Sequence, residues 1–421
     1  MQRILVPAVL VAVVLMVAVA TWRDAHVPPA ATAPPPLPVT SATTRDGLHE
    51  TAAALDARLA AHPEDGEAVV RLADTLIRIQ RVDGTAAAVV TAEQRLEAFL
   101  ARVPGHYDAR RMLGAVLLSQ HRFAEAIRLA QEVQAVDPRD AWNYGVLGDA
   151  HLELGDYDAA FAAFDQMGRL RPGPGAYARI SYARELQGDL DGALRAMRMA
   201  AAATSASDPE GQAWHYAQIG HLLLLDGRTG DARLEFERAA YTFPNHPYAM
   251  KGLAEVAMAD GNLTAARSLV LDQLARTPTP ELAAMAGDLA ARLGDGTAAE
   301  AFYREAERLE RTGWQSEEPQ PQALARFLAE RDRDVPEALA LARDAAGRRR
   351  DIQTMDALAW AAFKAGHLEE AVAAAAAAVR TGTRDPRLLT HAAAIYAAAG
   401  DERRAGILRG RMRVPCFDCQ S

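Results

Sequence analysis

The stretch AWNYGVLGDAHLELGDYDAAFAAFDQMGRLRP, residues 141–172, decides the fold. Leu147 and Gly148 fall in a first helix, which Gly155-Asp156 breaks with a turn. Ala160, Phe164 and Met167 then recur at helical spacing on a second helix, and Pro172 stops it. The small Gly148 lets the second helix pack close against the first. A single helix pair cannot bury its apolar face alone, so the unit needs neighbours of the same kind.

The neighbours are present. Gly114 to Gly148 spans 34 residues, as do Pro138 to Pro172, Gly220 to Ala254 and Pro244 to Pro278. In each of these units a small residue precedes a proline by 24 positions. The unit closing at Pro138 carries Leu113, Gly114 and Ala126, and the one closing at Pro244 carries Ile219, Gly220, Ala232, Phe236 and Ala239. Residues 174–207 keep Gly188, Ala193 and Met197 but replace the closing proline with the loop TSASDPEGQ. Residues 67–104 carry about seven extra residues around Val82–Val90, and 280–312 keep Gly287, Gly294, Ala299 and Tyr303. Units near 322–346, 352–382 and 385–410 place Gly366, Ala371, Gly400 and Ala405 in the turn and second-helix slots. A period of 34 with this internal order resembles the tetratricopeptide repeat family. The resemblance covers most of the chain. It implies an all-α, right-handed α-solenoid of roughly nine to ten helix pairs, and it is specific for fold rather than function.

Residues 4–20 form an uncharged, apolar run preceded by Arg3 and followed by Trp22 and Arg23. Segment 1–22 therefore reads either as a signal peptide, with Ala18-Val19-Ala20 as an A-x-A cleavage site, or as an uncleaved N-terminal membrane anchor with Trp22 at the interface. Residues 23–46 form a Pro/Ala/Thr-rich linker with six prolines between 28 and 38. As polyproline II its residues 27–38 would reach ~37 Å. The solenoid then occupies 47–312, the segment 313–321 is read as a hinge, further repeat units fill 322–410, and 411–421 is a tail with a C-x-x-C pair. This order predicts an exported or membrane-anchored protein with its bulk on the extracytoplasmic side.

A chain of 421 residues is too long for one compact core, but a repeat array escapes that limit. Half the residues are hydrophobic and only 6% aromatic, and abundant alanine favours closely packed helices. A net charge of −9 argues against a nucleic-acid partner. Lys251 and Lys364 are the only lysines among 46 basic residues, a usage that fits GC-rich bacterial coding. The chain lacks G-x-S-x-G, H-E-x-x-H and G-x-x-x-x-G-K-[ST], and its 11 histidines lack metal spacing. No enzymatic activity, cofactor, metal or small-molecule substrate is expected. Cys416 and Cys419 can close a small disulfide or link to another chain in an oxidising compartment. Arg409, Arg411 and Arg413 read as a solvated helix end.

The family resemblance implies a binding face as well. First helices of successive units line a concave groove in which extended or helical peptides lie. Its inward slots are the second, fifth, ninth, twelfth and thirteenth of each unit. They hold Trp142, Asp149 and Glu153; Tyr182 and Glu185; Trp214 and His221; and Tyr248 and Glu255. Aromatics beside carboxylates suit a protein or peptide partner with apolar anchors and basic residues. A register shifted by one would put Asn143 and His215 in place of the two tryptophans. The Lys/Asn carboxylate clamp of chaperone-binding members is missing. The expected function is a non-enzymatic scaffold or adaptor of the bacterial cell envelope. The alternative is a solenoid substrate receptor with a redox role for Cys416 and Cys419.

Overall fold

A computed structural model describes residues 44–84, 86–313, 320–414 and 416, all within one compact unit, Val39–Ser421. The segment 1–22, nearly all of the linker and most of the hinge fall outside the described residues. Among the described ones the regular elements are twenty-one helices with no strand, and none is long and apolar enough to cross a membrane. The first helix, α1 (Arg45–Ala61), starts two residues before the expected boundary because the Thr44 hydroxyl accepts from Gly47 N at 3.1 Å and caps it.

Ten sequential pairs follow. The first five are α2 (Gly66–Asp83) with α3 (Ala87–Leu100), α4 (Tyr107–Ser119) with α5 (Phe123–Val136), α6 (Ala141–Leu154) with α7 (Tyr157–Leu170), α8 (Pro174–Leu186) with α9 (Leu190–Ala203), and α10 (Pro209–Leu225) with α11 (Thr229–Thr242). Then come α12 (Pro247–Ala259) with α13 (Leu263–Arg276), α14 (Pro280–Arg292) with α15 (Gly296–Gly313), and α16 (Pro321–Glu330) with α17 (Val335–Arg348). The array ends with α18 (Ile352–Lys364) paired to α19 (Leu368–Ala378), and α20 (Pro386–Ala398) paired to α21 (Glu402–Arg411). Part of the extra length expected around Val82–Val90 goes into α2, which runs for 18 residues.

A recurring dipeptide makes the turns inside the pairs. Gly155 takes φ +85° after α6, and the Asp156 carboxylate accepts from Ala159 N to cap α7. The same Gly-Asp order closes and reopens the chain at 188–189, 294–295 and 400–401. Proline opens α8, α10, α12, α14 and α20, where the missing N–H costs nothing. The second helices drive aromatic side chains into the first: Phe164, Phe236 and Tyr303 are buried against Gly148, Gly220 and Gly287. A methyl group on Gly148 would overlap the Phe164 ring, whereas one on Gly114 would meet only Val146 Cγ1 at 3.4 Å. Gly148→Ala should therefore cost about 1–3 kcal/mol through overpacking, and Gly114→Ala should be near neutral. Urea titration of the two variants checks this, and equal effects would mean that the α6–α7 contact does not set the cost.

First helices lie side by side: α2 on α4, α4 on α6, α6 on α8, α10 on α12, α16 on α18 and α18 on α20. The array does not remain an open strip. It coils until later units touch earlier ones along a seam made of helix ends. Arg350 N donates to Leu154 O at 3.0 Å, and Ile352 N donates to the Tyr157 hydroxyl at 2.9 Å. Arg380 donates to Gly155 O at 3.1 Å and Arg384 to Gly188 O at 3.2 Å. Helix termini leave amides and carbonyls without intrahelical partners, and here termini far apart in sequence satisfy one another. Leu152, Leu186, Ile352 and Leu388 form an apolar cluster behind these bonds. Nearer the N-terminus, Arg78 pairs with Asp208 at 2.7 Å and Arg81 with Glu210 at 2.9 Å.

Candidate binding channel

Coiling turns the expected concave groove into a walled channel. The sequence reading expected the concave groove but not the second wall that distant units give it. Two cavities mark the channel, of about 250 Å3 and about 530 Å3, and both are lined by Lys251 and Glu281. Tyr182, Glu185, His221 and Glu255, from α8, α10 and α12, line the smaller one. The ends of α18 and α20 complete its wall from across the seam, with Gln353, Arg384 and Arg387. Tyr248 lines the larger cavity beside Arg81.

The other expected residues are placed differently. Asp149 is held by Arg179 at 2.6 Å, and Glu153 by Arg349 at 2.9 Å across the seam, so these carboxylates already have protein partners. Trp142 is 39% exposed, with the Arg111 guanidinium 5.6 Å from its ring centre. Its neighbour Asn143 is buried and donates to Ala130 O at 2.6 Å, and His215 is buried too, so the tryptophans are the outward members of both pairs. Trp214 is half-buried, with Arg81 5.8 Å from its ring centre.

Channel electrostatics follow from enclosure and pairing. Tyr182 keeps 40% of its surface accessible, yet its hydroxyl is pushed well above the usual phenol range, first by burial and then by Glu153 and Glu185. Tyr182 thus stands partly open to solvent in the wall of the smaller cavity. Burial works to lower the pKa of His221, but the Glu185 carboxylate 3.3 Å away, with Glu255, holds it above its ordinary value. Lys251 bridges Glu281 at 2.7 Å and Glu255 at 3.3 Å, and its charge holds the Glu281 carboxyl below the usual range. Burial pushes the nearby Glu310 carboxyl up to about 7.

Lys251 and Glu281 were missed by the sequence reading, although the slot rule contains them: they are the fifth residue of the unit at 247 and the second of the unit at 280. Arg387 fits the rule too, as the second residue of the unit opening at Pro386, whereas Arg384 lies ahead of that helix and carried no such signal. Arg411 is not merely a solvated helix end: it donates to the carbonyls of Gly382 and Thr383, the loop that feeds α20. Cys416 is disulfide-bonded, and Cys419 lies outside the described residues. Among the described residues no group of three or more His, Cys, Asp or Glu side chains is arranged to hold a metal ion.

These helix pairs, packed unit on unit around an inner face of first helices, define an all-α repeat solenoid. A family model for the tetratricopeptide repeat matches residues 117–181 and 223–293. Over those residues the chain carries tetratricopeptide repeats, which support a scaffold for protein interaction. Similar solved structures include a tetratricopeptide repeat protein from Parabacteroides merdae, 16% identical, with 58% of this chain and 96% of that one covered and a TM-score of 0.41. Pseudomonas aeruginosa pilF is 17% identical over 50% of this chain and 95% of its own, at a TM-score of 0.40. The human IFIT1 dimer with m7Gppp-AAAA is 12% identical over 87% of this chain and 86% of its own, at a TM-score of 0.48. At these identities the likeness concerns the fold alone. No curated protein sequence matches the chain.

Proposed function

We propose that the channel holds an extended segment of a protein partner, and that the chain works as a non-enzymatic adaptor on the outer side of a bacterial inner membrane. The observation that carries the binding reading is Tyr182, wetted inside a walled channel and flanked by Glu185 and His221. Carboxylates beside aromatics suit a segment with apolar anchors and basic residues. The apolar run of residues 4–20 and the proline-rich linker after it support export or tethering. A reporter enzyme fused after residue 46 should be active outside the cytoplasm, and activity confined to the cytoplasm ends the envelope reading.

Binding is tested by placing a photo-crosslinking amino acid at Tyr182 or at Tyr241, which is 90% exposed on the second helix α11. In envelope extract, position 182 should trap defined partner segments and position 241 should not. Equal capture at both positions, or none at 182, refutes the channel as the binding site. Trp142→Ala should weaken capture about thirtyfold, the ~2 kcal/mol of an aromatic anchor, with the melt unchanged. A melt lowered by the about 3–5 kcal/mol of a core tryptophan would instead make Trp142 structural. The redox alternative has one observation in its favour, the disulfide-bonded Cys416 in the cavity wall. Partner capture that survives changing both cysteines to serine removes it.

A further inference from the structure

The chain does not end at its last helix. After α21, Met412 packs on the C-terminal core, and its sulfur accepts from the Thr390 hydroxyl at 3.3 Å. The backbone then turns back across the seam. Arg413 O comes within 3.3 Å of where a side chain on Gly227 would begin, so the strand lies directly on the turn between α10 and α11. Val414 is buried, and Val414 and Cys416 line the same cavity as Leu186, Leu190, Leu224 and Leu225. On its other side that cavity carries Tyr182, Glu185 and His221. Arg411, bonded to the carbonyls of Gly382 and Thr383, fixes the point from which this strand departs.

A short non-helical segment, basic residues followed by a branched apolar one, thus already forms one edge of the channel. Its chemistry matches the surface it meets: Val414 is buried at a cavity lined by Leu186, Leu190, Leu224 and Leu225. We infer that this cavity is a peptide subsite whose resident occupant is the chain's own segment after α21, through Arg413, Val414 and Cys416, which a partner segment of like chemistry must displace. The inference rests on the reading of the channel as a peptide site and names its internal competitor.

The test uses the full chain and a labelled synthetic peptide of residues 410–421. The peptide should bind Val414→Asp, whose own tail no longer seats, at least tenfold more tightly than it binds the unaltered chain. A peptide carrying the same Val-to-Asp change should not bind either. Equal binding to the two chains, or no binding to Val414→Asp, overturns the inference. A second measurement needs no variant: trypsin should cut the Arg413–Val414 bond in the folded chain at least tenfold more slowly than in the free peptide. Equal rates would show that the strand is not held. Crosslinking at Tyr182 reports on the channel independently. Trapped partners with a failed peptide test leave the channel reading standing and remove only the competitor.

Discussion

Gly155→Ala is expected to destabilise the fold by about 2–5 kcal/mol, against about 1–2 kcal/mol for Gly294→Ala. Both glycines close a first helix in the left-handed region, at φ +85° and +83°. An alanine there costs about 1–2 kcal/mol from its Cβ alone. The two positions differ in what stands opposite. Nothing lies within 4 Å of a Cβ on Gly294, whereas on Gly155 it would fall on the backbone of Arg350 and within 2.5 Å of Asp351 N. Backbone cannot swing aside as a side chain can, so the seam must open locally, adding about 1–3 kcal/mol of overpacking. Urea titrations of both variants decide the matter. Equal losses would mean that the coils do not touch at Gly155.

Arg81→Ala should cost about 3–5 kcal/mol, because it strands a buried carboxylate. Arg81 donates to both oxygens of Glu210, at 2.9 and 3.1 Å, and the Glu210 side chain is only 1% exposed. Of the other groups against it, His246 has its own pKa lowered chiefly by burial, and Arg78 acts on Glu210 only through its charge. Glu210 itself feels burial as its largest influence, in the raising direction. Arg81 leads the opposing effects, and the carboxyl is held at about 2 against an ordinary 4.5. A depressed carboxylate pKa stabilises the fold fully above the unfolded value and ceases to do so as pH falls through the folded one. The gap between the unaltered chain and Arg81→Ala should therefore be widest near neutrality and shrink between pH 4.5 and 2. Replacing Glu210 by Gln in the Arg81→Ala background should recover part of the loss. A gap independent of pH, or no recovery, would place the cost of Arg81→Ala elsewhere.

The repeat was legible because its signals are local. Gly155-Asp156 makes its turn with its own φ and its own carboxylate, and Phe164 meets Gly148 within one unit. Slot counting along first helices reached Tyr182, Glu185, His221 and Glu255 for the same reason. The rule would have reached Lys251 and Glu281 had it been carried through every unit. The seam was not legible. Nothing near Glu153 in sequence announces Arg349, and nothing near Gly188 announces the loop at Gly382. Their meeting depends on small rotations accumulated over about six units, which no 34-residue window records. The seat of Val414 was not legible on the same account: it is buried at a cavity lined by Leu186, Leu190, Leu224 and Leu225, far from it in sequence.

A linear repeat array can start folding anywhere and grow by neighbours, because no contact reaches beyond the next unit. The bond from Arg350 to Leu154 spans 196 positions. Drawing together the ends of so long a loop costs roughly 4–5 kcal/mol of chain entropy, so it follows the assembly of the individual pairs. A newly made chain consequently offers its first helices as an uncovered ribbon before it becomes a tube. A polypeptide laid along that ribbon in the interval is wrapped when the coil closes, and its departure then waits on the coil's reopening rather than on the strength of its own contacts.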